Sequence, residues 1–85
     1  MKSFMYTIKS PVGLHARHAG LLVREAEKYT SAVTVRKEDR AADAKRILKL
    51  MGLGIKQGDL ITVTVEGPDE DEAAVGLKNF IWMNF

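Results

Sequence analysis

The segment Leu60-Ile61-Thr62-Val63-Thr64-Val65-Glu66 decides the fold. Ile61, Val63 and Val65 alternate with Thr62, Thr64 and Glu66, which is the two-residue period of a strand with one apolar and one polar face. Such a strand belongs to an antiparallel sheet covered on one side only. Downstream, Gly67-Pro68-Asp69 reads as a turn and helix start. Acidic residues from Asp69 to Glu72 suit the positive end of a helix dipole there. The helix that follows is predicted to run to about Trp82. Ala74, Leu77 and Ile81 form one stripe, with Ala73 and Phe80 beside it. Val75 and Trp82 fall off that stripe and are free to cover the sheet edge, meet another chain or lie exposed.

Upstream, Ile47 to Gly52 reads as a short helix ended near Gly52 or Gly54. Ala32 to Lys37 is predicted as a strand with Val33 and Val35 on one face. Glu38-Asp39 follows as a tight turn that lacks the usual glycine. Phe4, Tyr6 and Ile8 alternate with Ser3, Met5 and Thr7 in a first strand. Pro11 and Gly13 break that strand. Ala16 to Lys28 is predicted as a helix whose Ala19, Leu22, Ala26 and Tyr29 face the core, weakened by about 1 kcal/mol at Gly20.

Composition bounds the function. Eighty-five residues make a single domain, 1–85, with little room for a cleft between lobes. That suits a carrier or binding module better than a self-contained enzyme. A hydrophobic fraction of 46% argues against disorder. The absence of cysteine excludes disulfides and thiolate metal sites and fits a cytoplasmic protein. No run approaches a membrane span and no signal-peptide pattern is present, so no membrane insertion is expected. A net charge of +2 does not point to nucleic acid.

Gly13-Leu14-His15-Ala16-Arg17 carries the chemistry. It places a histidine at the mouth of the first predicted helix, with an arginine two residues on. A helix N-terminus has unpaired N–H groups and partial positive charge, a ready site for an anion. A neutral imidazole there is a nucleophile, and the guanidinium is a charged fork for a phosphoryl group. A histidine beside a helix start usually marks only a solvated loop, so the pentapeptide alone does not establish this chemistry.

Ser10-Pro11-Val12-Gly13-Leu14-His15-Ala16-Arg17, followed by Ala19 and Leu21-Leu22-Val23, resembles the active-site segment of the HPr family. These are the histidine-containing phosphocarriers of the bacterial phosphoenolpyruvate:sugar phosphotransferase system. A second block, Ile47-Leu48 and Met51-Gly52-Leu53-Gly54-Ile55-Lys56-Gln57-Gly58-Asp59, resembles the same family. The resemblance covers essentially the whole chain. It implies that Arg40 to Asp43 is a return strand, which its alanines support poorly. The order is then βαββαβα: an α+β open-faced sandwich, a four-stranded antiparallel sheet with three helices on one face.

The resemblance also implies roles. His15 would carry the phosphoryl group, on Nδ1 in the family, with Arg17 as the other catalytic residue. Ala16, Arg17 and His18 would bind the phosphate. Leu14, Ile47, Leu48, Met51 and Leu53 would dock partners: the donor enzyme I and sugar-specific enzyme IIA acceptors. Arg24, Lys45, Lys49 and Lys56 would add a basic rim. No metal and no organic cofactor is implied. The protein would be mostly monomeric, with weak self-association through the apolar tail Asn79 to Phe85.

Two positions depart from the family. His18 stands where proline is usual, and the simplest reading is a neutral change on an exposed turn. The sharper reading is contact with the phosphoryl group. Arg46 replaces a serine that a dedicated kinase phosphorylates in many Gram-positive HPr proteins, so that regulation is not expected here. Arginine is also a poor helix cap, and Asp43 is expected to cap instead, starting the helix a turn early. A regulatory binding module of the HPr type, with little phosphotransfer, remains an alternative. A nucleic-acid-binding domain is disfavoured because Ala32 to Lys37 and Leu60 to Glu66 carry no aromatic residues.

Overall fold

A computed structural model describes residues 1–85. The strand with the plainest period, β4 (Leu60–Glu66), is an interior strand of the sheet. It pairs antiparallel with β1 (Lys2–Thr7) and with β2 (Ala32–Lys37), and β2 pairs in turn with β3 (Arg40–Asp43). The strand order is β1-β4-β2-β3. Helices α1 (Ala16–Glu27), α2 (Ile47–Met51) and α3 (Glu70–Asn84) complete the expected βαββαβα order.

Strand alternation decides which face the helices cover. Tyr6, Val33, Val35, Ala42, Ile61, Val63 and Val65 are buried on one face, together with Ala19, Leu22 and Ala26 of α1, Leu50 of α2, and Ala73, Leu77 and Ile81 of α3. Each fully buried leucine, isoleucine or valine contributes about 1.5–3 kcal/mol by leaving water. The other face pairs Met5 with Thr62 and Thr34 with Thr64 and stays polar. The fit of α3 has a steric requirement at Gly76, where a Cβ would collide with the Tyr29 hydroxyl.

The β2–β3 turn is the two-residue one expected, with Lys37 opposite Arg40. Its cost falls on Glu38, which has φ of 56°. Asp69 is the N-cap of α3, but its side chain makes no cap bond. Its carboxylate reaches across to accept the N–H groups of Thr30 and Ser31, each at 2.9 Å, and the Ser31 hydroxyl. These bonds, led by that of the hydroxyl, lower the Asp69 pKa to about 2. One carboxylate thereby joins the turn before β2 to the turn after β4.

Two local expectations need correction. Asp43 does not start α2 early. Its Oδ1 accepts the Lys45 N–H at 2.9 Å, but the Ala44 N–H still bonds Val33 on the sheet and Arg46 is extended (φ −121°, ψ 103°), so the helix begins at Ile47. Arg46 is the N-cap and provides no side-chain cap, as its chemistry predicts. The last helix also extends past Trp82 to Asn84. Phe85 is buried behind it, and its carbonyl accepts the N–H groups of Lys9 (2.6 Å) and Ser10 (2.8 Å). Trp82 lies against Tyr6 of edge strand β1, ring centroids 5.5 Å apart, and the Lys9 ammonium sits over the indole at 5.5 Å from its centroid.

Candidate functional site

The loop after β1 is shaped by Gly13. It has φ of +65°, which favours glycine, and a Cβ there would lie 2.6 Å from the Ile55 carbonyl oxygen. The close approach lets the Leu14 N–H donate to that same carbonyl at 3.1 Å. The Leu14 side chain is thereby buried, and the next residue, His15, emerges into solvent as the N-cap of α1.

His15 is an unusual cap residue, yet its ring serves as one, because Nδ1 accepts the Arg17 N–H at 3.2 Å. A nitrogen that accepts carries a lone pair, so the neutral ring holds its proton on Nε2. The first intrahelical bond is Ala19 N–H to the His15 carbonyl at 2.8 Å. The N–H groups of Ala16, Arg17 and His18 therefore lie ahead of the helical ladder, and that of Arg17 meets the nucleophilic nitrogen. The Arg17 side chain is exposed and forms no ion pair.

His18 is not the solvated side chain of the simplest expectation. Its ring is half-buried, 4.5 Å from the His15 ring centroid and tilted 38° to it. On the other side the Phe85 ring meets it edge-on at 5.1 Å and 87°. Its Nδ1 is 3.4 Å from the Gly13 carbonyl oxygen. No group of three or more His, Cys, Asp or Glu side chains is placed to hold a metal ion.

The expected docking residues divide. Leu48 is 80% exposed, Ile47 40% and Met51 38%. Ile47 also reaches toward α1, its Cδ1 lying 3.7 Å from where a Gly20 Cβ would be. Leu14 and Leu53 are in the core at 8% and 4%, so their side chains offer little surface to a partner. Leu14 is drawn in by its backbone bond to Ile55, and Leu53 by the turn in which its N–H bonds Leu50. Of the basic rim, Arg24, Lys49 and Lys56 are exposed. The Lys45 ammonium instead donates to the Tyr29 carbonyl at 2.8 Å, just past the end of α1. Sequence reasoning missed Phe85. The apolar tail was visible, but nothing local indicates that its last ring meets His18.

A family profile described as "PTS HPr component phosphorylation site" matches residues 2–82. The chain belongs to the HPr family. It is 46% identical over 81 residues to the phosphocarrier protein HPr of Lysinibacillus sphaericus, covering 95% of this chain and 92% of that protein. The crystal structure of HPr-C-His from Thermoanaerobacter tengcongensis superposes with a TM-score of 0.91 at 40% identity, covering 96% of this chain and 92% of that one. The HPr-like protein Crh of Halalkalibacterium halodurans is 43% identical over 74 residues, covering 87% of this chain and 88% of that protein. The open-faced sandwich is thus the HPr fold, and the family is one of phosphocarriers. No helix is long and apolar enough to cross a membrane.

Proposed function

We propose that this HPr-family protein accepts a phosphoryl group on His15 from phosphorylated enzyme I and passes it to sugar-specific enzyme IIA proteins in the cytoplasm. The observation that carries this reading is the exposed His15 Nδ1 lone pair, held at the start of α1 by the Arg17 N–H. In the transfer, Nδ1 attacks phosphorus in line and a new N–P bond forms. The donor histidine's N–P bond breaks, and its electron pair returns to the donor ring. The Arg17 N–H, released from Nδ1, joins the Ala16 and His18 N–H groups around the phosphoryl oxygens, and the Arg17 guanidinium offsets their charge. The reverse step delivers the group to the acceptor. The chain acts as a carrier rather than a self-contained enzyme, because its partner supplies the other half of the site.

Ile47, Leu48 and Met51 would form the apolar contact with both partners, since flexible methionine and leucine suit a surface that meets more than one protein. Arg46 has no hydroxyl for a kinase to modify.

Incubation with enzyme I and radiolabelled phosphoenolpyruvate tests the reading. Acid-labile, base-stable label is expected on the wild type and absent from His15→Ala. Arg17→Ala is expected to keep the fold but lose at least about tenfold in transfer rate. Folded wild-type protein that takes no label would favour a regulatory binding module of the HPr type instead.

A further inference from the structure

Lys37 closes β2. By strand alternation it falls on the same side as Val33 and Val35, the face the helices cover. A charge on that side must reach water or be paired, and here it is paired. The Lys37 ammonium donates to the Gly54 carbonyl at 2.9 Å and meets the Asp59 carboxylate at 2.8 Å. With side chains 19% and 28% exposed, this is the most shielded of the chain's ion pairs. The same carboxylate oxygen accepts the Lys56 N–H at 2.7 Å, and the Asp59 N–H donates back to the Lys56 carbonyl at 3.0 Å. The segment from Gly54 to Asp59 is therefore tied across its own turn and also to the end of β2. The Lys37 hydrogen bond, then that of the Lys56 N–H, hold the Asp59 carboxyl below the usual carboxylate range.

The loop that presents His15 stands on this segment. At its start the Ile8 N–H donates to the Asp59 carbonyl (2.9 Å), the Gly58 N–H to the Ile8 carbonyl (2.8 Å) and the Gln57 side-chain amide to the Lys9 carbonyl (3.2 Å). At its end the Leu14 N–H donates to the Ile55 carbonyl, one residue before the nucleophile. Consecutive carbonyls thus serve different partners: Gly54 is held by Lys37, and Ile55 holds Leu14. Fixing the first limits how far the second can turn, because only the φ and ψ of Ile55 lie between the two rigid peptide planes.

Resting on the carrier reading above, we propose that Lys37, paired with Asp59, is a positioning residue for phosphoryl transfer: it fixes the 54–59 segment so that the Ile55 carbonyl holds Leu14 and His15 is aimed at the incoming phosphorus. Its ammonium bonds Gly54 and Asp59 and neither His15 nor Arg17, so it acts only through the loop. In-line attack tolerates little misplacement, and a shift of about 1 Å at a reacting atom can cost on the order of a hundredfold in rate. Without the ammonium, Asp59 loses its cation and Gly54 its donor. The freedom gained by the segment passes to Leu14 and His15. The exposed residues Ile47, Leu48 and Met51 belong to α2 and keep their places.

Lys37→Met and Asp59→Asn test this in the full chain, by single-turnover transfer from phosphorylated enzyme I and by amide hydrogen exchange. Both variants should lose about three- to tenfold in maximal transfer rate, while the carrier concentration for half-saturation changes by less than about twofold. Both should exchange the Leu14 N–H at least about fivefold faster, with a smaller change at the Val63 N–H of β4. The two substitutions shift the net charge in opposite directions, so a partner that senses only charge would respond to them in opposite ways. Transfer at the wild-type rate, or opposite effects of the two variants, would overturn the positioning role and leave the carrier reading intact. Equal acceleration of exchange at Leu14 and Val63 would assign the pair a general structural role and overturn it as well. Wild-type protein that takes no phosphoryl group would overturn the carrier reading, and the positioning role with it. Each variant is compared with wild type separately, so the test stands if one of them fails to fold.

Discussion

At the scale of single residues, the chemistry is set by which polar atoms are held and which are left free. His15 keeps a lone pair at a helix start, Arg17 keeps an unpaired guanidinium, and Asp69 is fully engaged. Asp69 makes a pH prediction. Its folded pKa of about 2 lies below the unfolded value of about 3.9. Its contribution to stability is therefore present above the unfolded value and is lost as pH falls toward about 2. Asp69→Asn should unfold at lower urea concentration than wild type at neutral pH, and the gap between the two midpoints should close between about pH 4 and 2. A gap that stayed constant through that range would show that the Asp69 bonds contribute nothing through their charge. His15 and Arg17 were legible from the sequence because a helix start and its neighbours are local features. The burial of Leu14 and Leu53 was not legible, because a leucine looks the same in sequence whether it lies on a surface or fills a core.

At the scale of elements, local preference and tertiary demand agree in β4 and disagree in the β2–β3 hairpin. Ile61, Val63 and Val65 alternate as an interior strand of a one-sided sheet requires, and the period alone identified them. Arg40 to Asp43 pairs as a strand although its alanines give little intrinsic support, because β2 offers its free edge and Ala42 reaches the core. The turn between these strands forces positive φ on Glu38, a conformation that costs a side-chain-bearing residue about 1–2 kcal/mol. Glu38→Gly removes that strain but loosens the unfolded chain, for a net gain of about 0.5–1 kcal/mol. Chemical denaturation should show a higher midpoint with unchanged slope; a lower midpoint would mean that the Glu38 side chain has a stabilising role of its own. The start of α2 shows the reverse dependence. Asp43 is a good cap by type, yet the sheet still holds Ala44, and so the helix waits for Ile47.

At the scale of the whole molecule, the last turn of α3 links the sheet edge to the proposed phosphoryl site. Phe85 is 4% exposed, bonds the loop through Lys9 and Ser10, and lies against His18. Phe85→Ala should cost about 2–3 kcal/mol, below the range for a buried phenylalanine far from a chain terminus because the end of a helix can relax. It should also disturb the NMR signals of His18 more than those of the distant β2–β3 turn. Equal disturbance at both places would mean that the ring acts only through global stability. Burial of Ile81 and Phe85 leaves Trp82 and Met83 as the exposed apolar residues of the tail. We expect a monomer at micromolar concentration, with any self-association weak and reduced in Trp82→Ala. Sedimentation velocity over a wide concentration range measures this, and a tight dimer insensitive to Trp82→Ala would place the contact elsewhere.

By itself the sequence determined every element except β3, the covered face of the sheet and the residues that present a nucleophile at a helix start. Each of these depends on periods and neighbours within a few residues, where the chain's own geometry dictates the outcome. Only the tertiary structure decided which leucines are buried, where α2 begins and that Phe85 closes on His18. Those outcomes depend on groups such as Ile55 beside Leu14, Val33 beside Ala44 and the tail beside the first helix. They are far apart along the chain, and only packing of the sheet and helices brings them together.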